Sequence, residues 1–378
     1  MSVTEISKVN TINENVKIEH RGKYMKKIGI ILICLIVTLV VAGTILSPER
    51  WSLDGRNEAV ISVAPETFLI PGGHSIGVRM DVKGVLVVGL EEIETVDGRR
   101  VNPGLISGLQ IGDTILEING TRVYRASEVQ EMINEIGTSV RLKVQRKDNL
   151  VELSISPVVA QVNNLYKLGV WVKDKAAGIG TLTYYNPADH TFGALGHAIL
   201  DPETNSLLPV AEGELLRAEV QSVKEGKAGN PGEIRGIFHE ADDPLGDLKT
   251  NSMFGIFGTL HHELENPIYT RPLPVGTKDQ VVRGPAYILT TLDGNQLERY
   301  QIEIERVNRQ SEPDVKSMVI KVTDPRLLDK SGGIVQGMSG SPIIQNGRII
   351  GAVTHVLVNN PQRGYGIFIE WMLETSRN

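Results

Sequence analysis

The string Gly332-Gly333-Ile334-Val335-Gln336-Gly337-Met338-Ser339-Gly340-Ser341-Pro342 holds the residues best suited to covalent chemistry. A serine between glycines, with Pro342 leading into Ile343-Ile344, predicts a tight loop followed by a strand. Glycine on both sides lets the backbone turn sharply and leaves the Ser339 hydroxyl exposed. It also lets the amides of Gly337 and Ser339 point at one spot, and two such donors make an oxyanion hole, a large contribution to acyl transfer. The nucleophile elbow of α/β-hydrolases needs G-x-S-x-G followed by a helix. Here Ser341 holds the fifth place and a strand follows, so that reading fails. An isolated GSGSP would be no more than a glycine-rich β-turn, but the whole string is more constrained.

A serine nucleophile needs a general base, and the chain has eight histidines. His197 lies in Phe192-Gly193-Ala194-Leu195-Gly196-His197-Ala198-Ile199, a strand end followed by a bend, where small neighbours let a nucleophile approach the imidazole. His190 and His239 sit in polar surroundings, and His355, in GAVTHVLV, reads as core. His20 and His74 fall in other regions of the chain. His261-His262-Glu263 would need a histidine at 266 to form HExxH; that residue is Asn266, which excludes the zinc-protease motif. A carboxylate should orient the base. Asp324 at a strand end, Asp201, Asp247 and Asp293 are all candidates, and spacing does not choose among them. The chemistry sketched calls for no metal and no cofactor.

The elements that must carry these residues are mostly strands. Residues 158–378 contain many short β-like runs (GIGTLTYY, AEVQSV, AYILTTL, YQIEIERV, SMVIKV, RIIGAVTHVLV) separated by Gly and Pro turns, as in a β-barrel or sandwich pair. Only two helix candidates stand out there, one of them around residues 370–375. Residues 68–157 differ in character. FLIPGGHSIGVRMDVKGVLVVGL is a glycine-rich turn between two apolar runs, and Asn119-Gly120 is a hairpin signal. Val129, Met132, Ile133 and Ile136 recur at helical spacing before the C-cap candidate Gly137, and VRLKVQR alternates as a strand.

Composition sets the outer limits. Thirty-nine basic and 45 acidic residues give a net charge of −6, which argues against sequence-independent nucleic-acid binding. With 41% hydrophobic and 22% charged residues, the chain is neither wholly disordered nor a polytopic membrane protein. Cys34 is the only cysteine, so no intrachain disulfide forms. Residues 28–46, IGIILICLIVTLVVAGTIL, carry no charge and would span roughly 28 Å as a helix, enough for a bilayer core. Lys17, Arg21, Lys23, Lys26 and Lys27 precede this segment, so residues 1–27 form a cytoplasmic basic tail and the rest is exported. A cleaved signal peptide would be shorter, and Val41-Ala42-Gly43 is a poor cleavage site, which favours a retained anchor. Residues 47–67 read as a linker.

The order strand, glycine-rich loop, GLxxGDxILxING, helix, strand, strand over residues 68–157 resembles a PDZ domain in the permuted arrangement of bacterial proteases. That resemblance implies an α+β domain in which a backbone loop captures a peptide carboxylate. The loop is expected at Ile76, Gly77 and Val78. With an anchor, a PDZ domain, GALGHAI and TDPRLLDKSGGIVQGMSGSPIIQNGRIIGAVTHV, nearly all of the chain after the anchor resembles the stage IV sporulation protein B (SpoIVB) serine peptidases. The resemblance implies a mainly β protein with a trypsin-like double β-barrel over residues 158–378. It implies Ser339 as nucleophile, His197 as base and Asp324 as orienting acid, although Asp324 lies much nearer the serine than in ordinary trypsin-like enzymes. It further implies self-cleavage, then cutting of a membrane-bound regulator of the protease that matures sigma-K. The setting would be the forespore inner membrane and intermembrane space, with release after self-cleavage. A non-catalytic PDZ adaptor and an HtrA-like envelope quality-control protease are the alternatives. The latter usually carries its PDZ domain after the protease domain rather than before it.

Overall fold

The computed structural model describes residues 66–238 and 243–377. The apolar segment 28–46 and most of the linker lie outside the described residues. Among the described residues no helix is long and apolar enough to cross a membrane.

Two six-stranded antiparallel barrels carry the chemistry. The first is built from β1 (Ser75–Leu90), β2 (Val170–Tyr185), β3 (Thr191–Ala194), β4 (Val210–Arg217), β5 (Gly246–Ser252) and β6 (Gly255–Leu260). Its pairings run β1-β2-β3-β6-β5-β4 and return to β1. The second comprises β7 (Gly284–Thr291), β8 (Leu297–Val307), β9 (Met318–Val322), β10 (Pro342–Gln345), β11 (Arg348–Val356) and β12 (Arg363–Phe368). It closes in the corresponding order, β7-β8-β9-β12-β11-β10. This is the expected mainly β, double-barrel architecture. Alternation explains it locally: in LERYQIEIERV, Tyr300, Ile302 and Ile304 point into the core while Arg299, Gln301 and Glu303 face water. Each barrel has its own apolar core, around Ile76, Met80, Leu182 and Ile256 in the first and Ile302, Ile320, Ile343 and Val353 in the second.

The boundary expected at 157/158 does not separate the two kinds of structure. β1 and β2 are each 16 residues long, and each serves two bodies. The segment Ser75 to Asp81 pairs with Lys175 to Thr181 inside the first barrel, whereas Leu86 to Leu90 pair with Lys173 to Val170 outside it. The PDZ-like body is therefore inserted between the first two strands of a barrel that starts before it. The pairing is interrupted between Lys173 and Lys175, opposite Gly84, which adopts φ +95°. A run of apolar residues shows that a strand exists but not which body its two ends join, so this division could not be seen in the sequence.

The inserted body has Thr114–Ile118 paired to β1, Val140–Arg146 paired to Thr114–Ile118, and Asn149–Ile155 at the far edge. Helix α1 (Ala126–Ile136) lies over this layer. Its expected period is observed: Val129 and Ile133 are buried with Ile115, Ile118 and Val144. Gly137 ends it in the left-handed region at φ +62°. At its start the N-cap is Arg125, and Glu128 reaches back to accept from the amides of Tyr124 and Arg125.

Candidate active site

Ser339 and His197 line one cleft of about 500 Å³ between the barrels. Thr354, His355 and Val356 of β11 form one side of it, and residues 176–179 of β2 form another. Ser339 arrives on the loop before β10. That loop needs glycine at two places. Gly337 has φ +96° and Gly340 φ +97°, a region that L side chains avoid. The loop is tied from several directions. Gln336 donates its amide to Gly232 and accepts at its carbonyl from Ile234, both at the hairpin Glu219–Lys224 and Glu233–Ile237. From the first barrel, Thr181 donates its amide to the Ser339 carbonyl at 3.0 Å. Its hydroxyl donates to the Gly337 carbonyl at 2.7 Å. The Met338 amide is consumed by Val335, and that of Gly340 by Val353. Among the described residues the amides of Gly337 and Ser339 donate to nothing, which leaves both able to receive an oxyanion next to the Ser339 hydroxyl.

The Ser339 hydroxyl donates to the Thr354 carbonyl at 2.8 Å. Attack requires it to rotate from that carbonyl toward the imidazole. His197 Nδ1 lies 2.8 Å from the Ala198 carbonyl. A carbonyl only accepts, so Nδ1 carries the proton and Nε2 is left with the lone pair that a general base needs. Burial pushes the His197 pKa below its ordinary value, and the Ala198 contact offsets part of this. The ring is therefore neutral at pH 7. The loop carrying it is held by Asn251, which accepts from the Ile199 amide and donates to the carbonyls of Ile199 and Leu208. Neither Thr181 nor Asn251 announces itself in the sequence, because each acts on a loop more than 40 residues away.

His355 is not the core residue its strand suggested. It opens onto the cleft with its ring centroid 5.0 Å from that of His197. Partial burial, His197 and Lys316 push its pKa down to about 4, so it too is neutral at pH 7.

Asp324 is not brought to His197. It caps α2 (Pro325–Ser331) by accepting from the Arg326 amide at 3.0 Å, accepts from the Gln301 amide, and pairs with the Arg326 guanidinium at 2.9 Å. The guanidinium, together with these amides, holds its carboxyl below the usual carboxylate range. The orienting acid expected from the resemblance is instead a helix cap with its oxygens already satisfied. Its three rivals are also engaged: Asp201 with Lys173, Asp247 with His261 and Asp293 with Lys330. No carboxylate lines the cleft among the described residues, and the Ala198 carbonyl fixes the imidazole tautomer. Asparagine caps a helix as well as aspartate does, whereas alanine costs about 1 kcal/mol. Asp324→Asn is therefore expected to keep most of the turnover. Asp324→Ala is expected to lower the melting temperature by a few degrees. A thermal melt beside a peptide-hydrolysis assay checks both; collapse of kcat in Asp324→Asn at unchanged stability would restore the acid role.

Ile76, Gly77 and Val78 do not form a peptide-binding loop. Ile76 and Val78 are buried in the first barrel, and all three residues pair with β2 on one side and β4 on the other, leaving no free edge. The inserted body has its groove elsewhere, a space of about 510 Å³ between α1 and the start of β2. Leu168, Gly169 and Val170 line one wall, and Val129, Gln130 and Ile133 the other. Gly169 has φ +72°, and a Cβ there would stand 2.6 Å from the Glu91 carbonyl. The LGV string was visible in the sequence, but only as one more β-run. Among the described residues no cluster suited to holding a metal ion is present.

The family model SpoIVB peptidase S55 matches residues 164–373, and a PDZ domain model matches residues 103–146. Among solved structures, the active form of the Rv3671c protease from M. tuberculosis aligns at 15% identity with TM-score 0.30, over 53% of this chain and 72% of that one. The inactive form of that protease aligns at 14% identity with TM-score 0.31, over 52% and 81%. No curated protein sequence matches the chain. The peptidase match covers more than half of the chain and includes both the histidine loop and the serine loop. The chain belongs to the SpoIVB peptidase S55 family and is a serine endopeptidase.

Proposed function

We propose that this peptidase is a signalling enzyme of endospore formation. It is tethered by residues 28–46 with its barrels outside the cytoplasm, cuts itself in or near residues 47–67, and then cleaves a membrane-bound regulator of the protease that matures sigma-K. The reading rests on the family match together with an intact Ser339–His197 cleft. Chemically, His197 Nε2 accepts the Ser339 proton as Oγ attacks a peptide carbonyl. The amides of Gly337 and Ser339 receive the oxyanion. The imidazolium then returns its proton to the leaving amine, and water hydrolyses the acyl-enzyme with His197 again acting as base. The groove between α1 and β2 would take a peptide, either from the substrate or from the chain itself. The test is a chromosomal Ser339→Ala allele in a spore-forming host. The expected result is accumulation of full-length chain and of unprocessed sigma-K precursor. Normal sigma-K maturation in that strain would overturn the signalling role while leaving the peptidase activity to be measured separately.

A further inference from the structure

The groove and the catalytic cleft share one strand. β2 forms a wall of the groove at residues 170–172 and a wall of the cleft at residues 176–179. Along residues 170–180 its one edge is paired with β1. The other edge is paired only further on, by β3 at residues 182–185. Among the described residues no backbone group bonds to the main-chain N–H or C=O groups of the second edge between 170 and 180. An unpaired edge is a template for an added strand. Its residues are small at the cleft end, Ala176, Ala177 and Gly178, and a Cβ on Gly178 would meet nothing within 4 Å.

We infer that this edge is a ruler: the substrate lies along it as an antiparallel strand, with its carboxyl terminus in the groove at Leu168, Gly169 and Val170 and its scissile bond at Ser339. The inference rests on the peptidase reading and adds how the cut is placed. Antiparallel pairing is the more stable arrangement and fixes the direction. β2 runs from the groove toward the serine loop, so the added chain runs from the cleft to the groove and ends there. At strand rise, Val170 to Ile179 is about nine residues, roughly 30 Å. The spacing is held, because Asp174, midway along, accepts from the Ala126 amide at 2.8 Å and ties the first turn of α1 to the strand. At the far end Thr181 is bonded to the serine loop itself. The occupant is thus an extended peptide with a free carboxyl terminus, cut about ten to twelve residues before its end.

The test uses the full-length chain and three synthetic peptides that share one amino-terminal sequence and end with free carboxylates at 20, 24 and 28 residues, the extensions being random in composition. Cut positions are read by mass spectrometry. The cut is expected to move toward the carboxyl terminus by four residues with each extension, and amidation of the terminus is expected to lower kcat/KM at least tenfold. Cutting at the same peptide bond in all three, indifferent to amidation, would overturn the ruler and leave the peptidase reading intact. Failure to cut any of them, together with failure of a fluorophosphonate to label Ser339, would overturn the peptidase reading and the ruler with it.

Discussion

Ser339→Ala is expected to remove about 10⁴- to 10⁶-fold of kcat, the loss that accompanies deletion of a serine nucleophile, with the fold unchanged. The hydroxyl makes one hydrogen bond, to the Thr354 carbonyl, in a half-buried position. Losing it costs about 1 kcal/mol. The amide and carbonyl of residue 339 do not change, so the Thr181 contact that shapes the loop remains. Ser341 supplies an internal control. It is two residues away, fully buried, and its Oγ has no hydrogen-bond partner among the described residues. Ser341→Ala should therefore turn over and accept a fluorophosphonate like the parent, while Ser339→Ala does neither. Intact-mass measurement of the adduct and hydrolysis of a fluorogenic peptide report the two outcomes. Labelling that follows Ser341 instead would move the nucleophile.

Gly340→Ala should be nearly as damaging, for a reason that has nothing to do with reactive atoms. Gly340 sits where the barrels meet. Its amide donates to Val353 of the second barrel, and a Cβ would stand 2.0 Å from the Thr181 carbonyl and 2.5 Å from the Leu195 amide of the first. Those two groups are bonded to each other, and Leu195 lies two residues before His197. The loop cannot retreat without breaking the Val353 bond. The first barrel cannot retreat without moving the histidine. Adding a left-handed penalty of about 1–2 kcal/mol to an overpacking cost of about 1–3 kcal/mol predicts a loss of roughly 2–5 kcal/mol. Adduct formation should fall at least 100-fold, since misplacement of reacting groups by an ångström costs about that much. Gly347→Ala is the comparison: it also has positive φ, at +73°, but open space around it, so it should show the backbone penalty and keep its activity. Thermal melts with adduct kinetics decide. Full labelling in Gly340→Ala would mean that the barrels do not meet as described.

Residues that act within a few positions of themselves could be read from the sequence. The serine loop, its glycines and its two amides form one continuous string, and His197 stands out by its small neighbours. Strand periods exposed the barrel cores and the face of α1. What escaped was long-range. Thr181 and Asn251 hold the serine and histidine loops through hydrogen bonds to backbone groups, and a hydroxyl or an amide in a strand gives no local sign of that. Asp324 was legible as a strand-end acid, and its position before Pro325 also fits a helix cap; the cap and the Arg326 pair claimed it. Ile76, Gly77 and Val78 follow a Pro-Gly-Gly turn, as a carboxylate loop would, but sequence does not show that both edges of that strand are taken.

Because the insertion leaves and re-enters the barrel through paired strands, its two ends are neighbours: Leu90 faces Val170. A backbone nick anywhere in residues 91–169 would leave both fragments zipped together by the ladder of β1 against β2 and by the strands on either side. Such a nicked chain would run as two bands on a denaturing gel and as one species on a sizing column. Fragment patterns alone would therefore overstate how much of this enzyme is dismantled by a nick in the insertion, and the barrels could go on working long after the chain had ceased to be continuous.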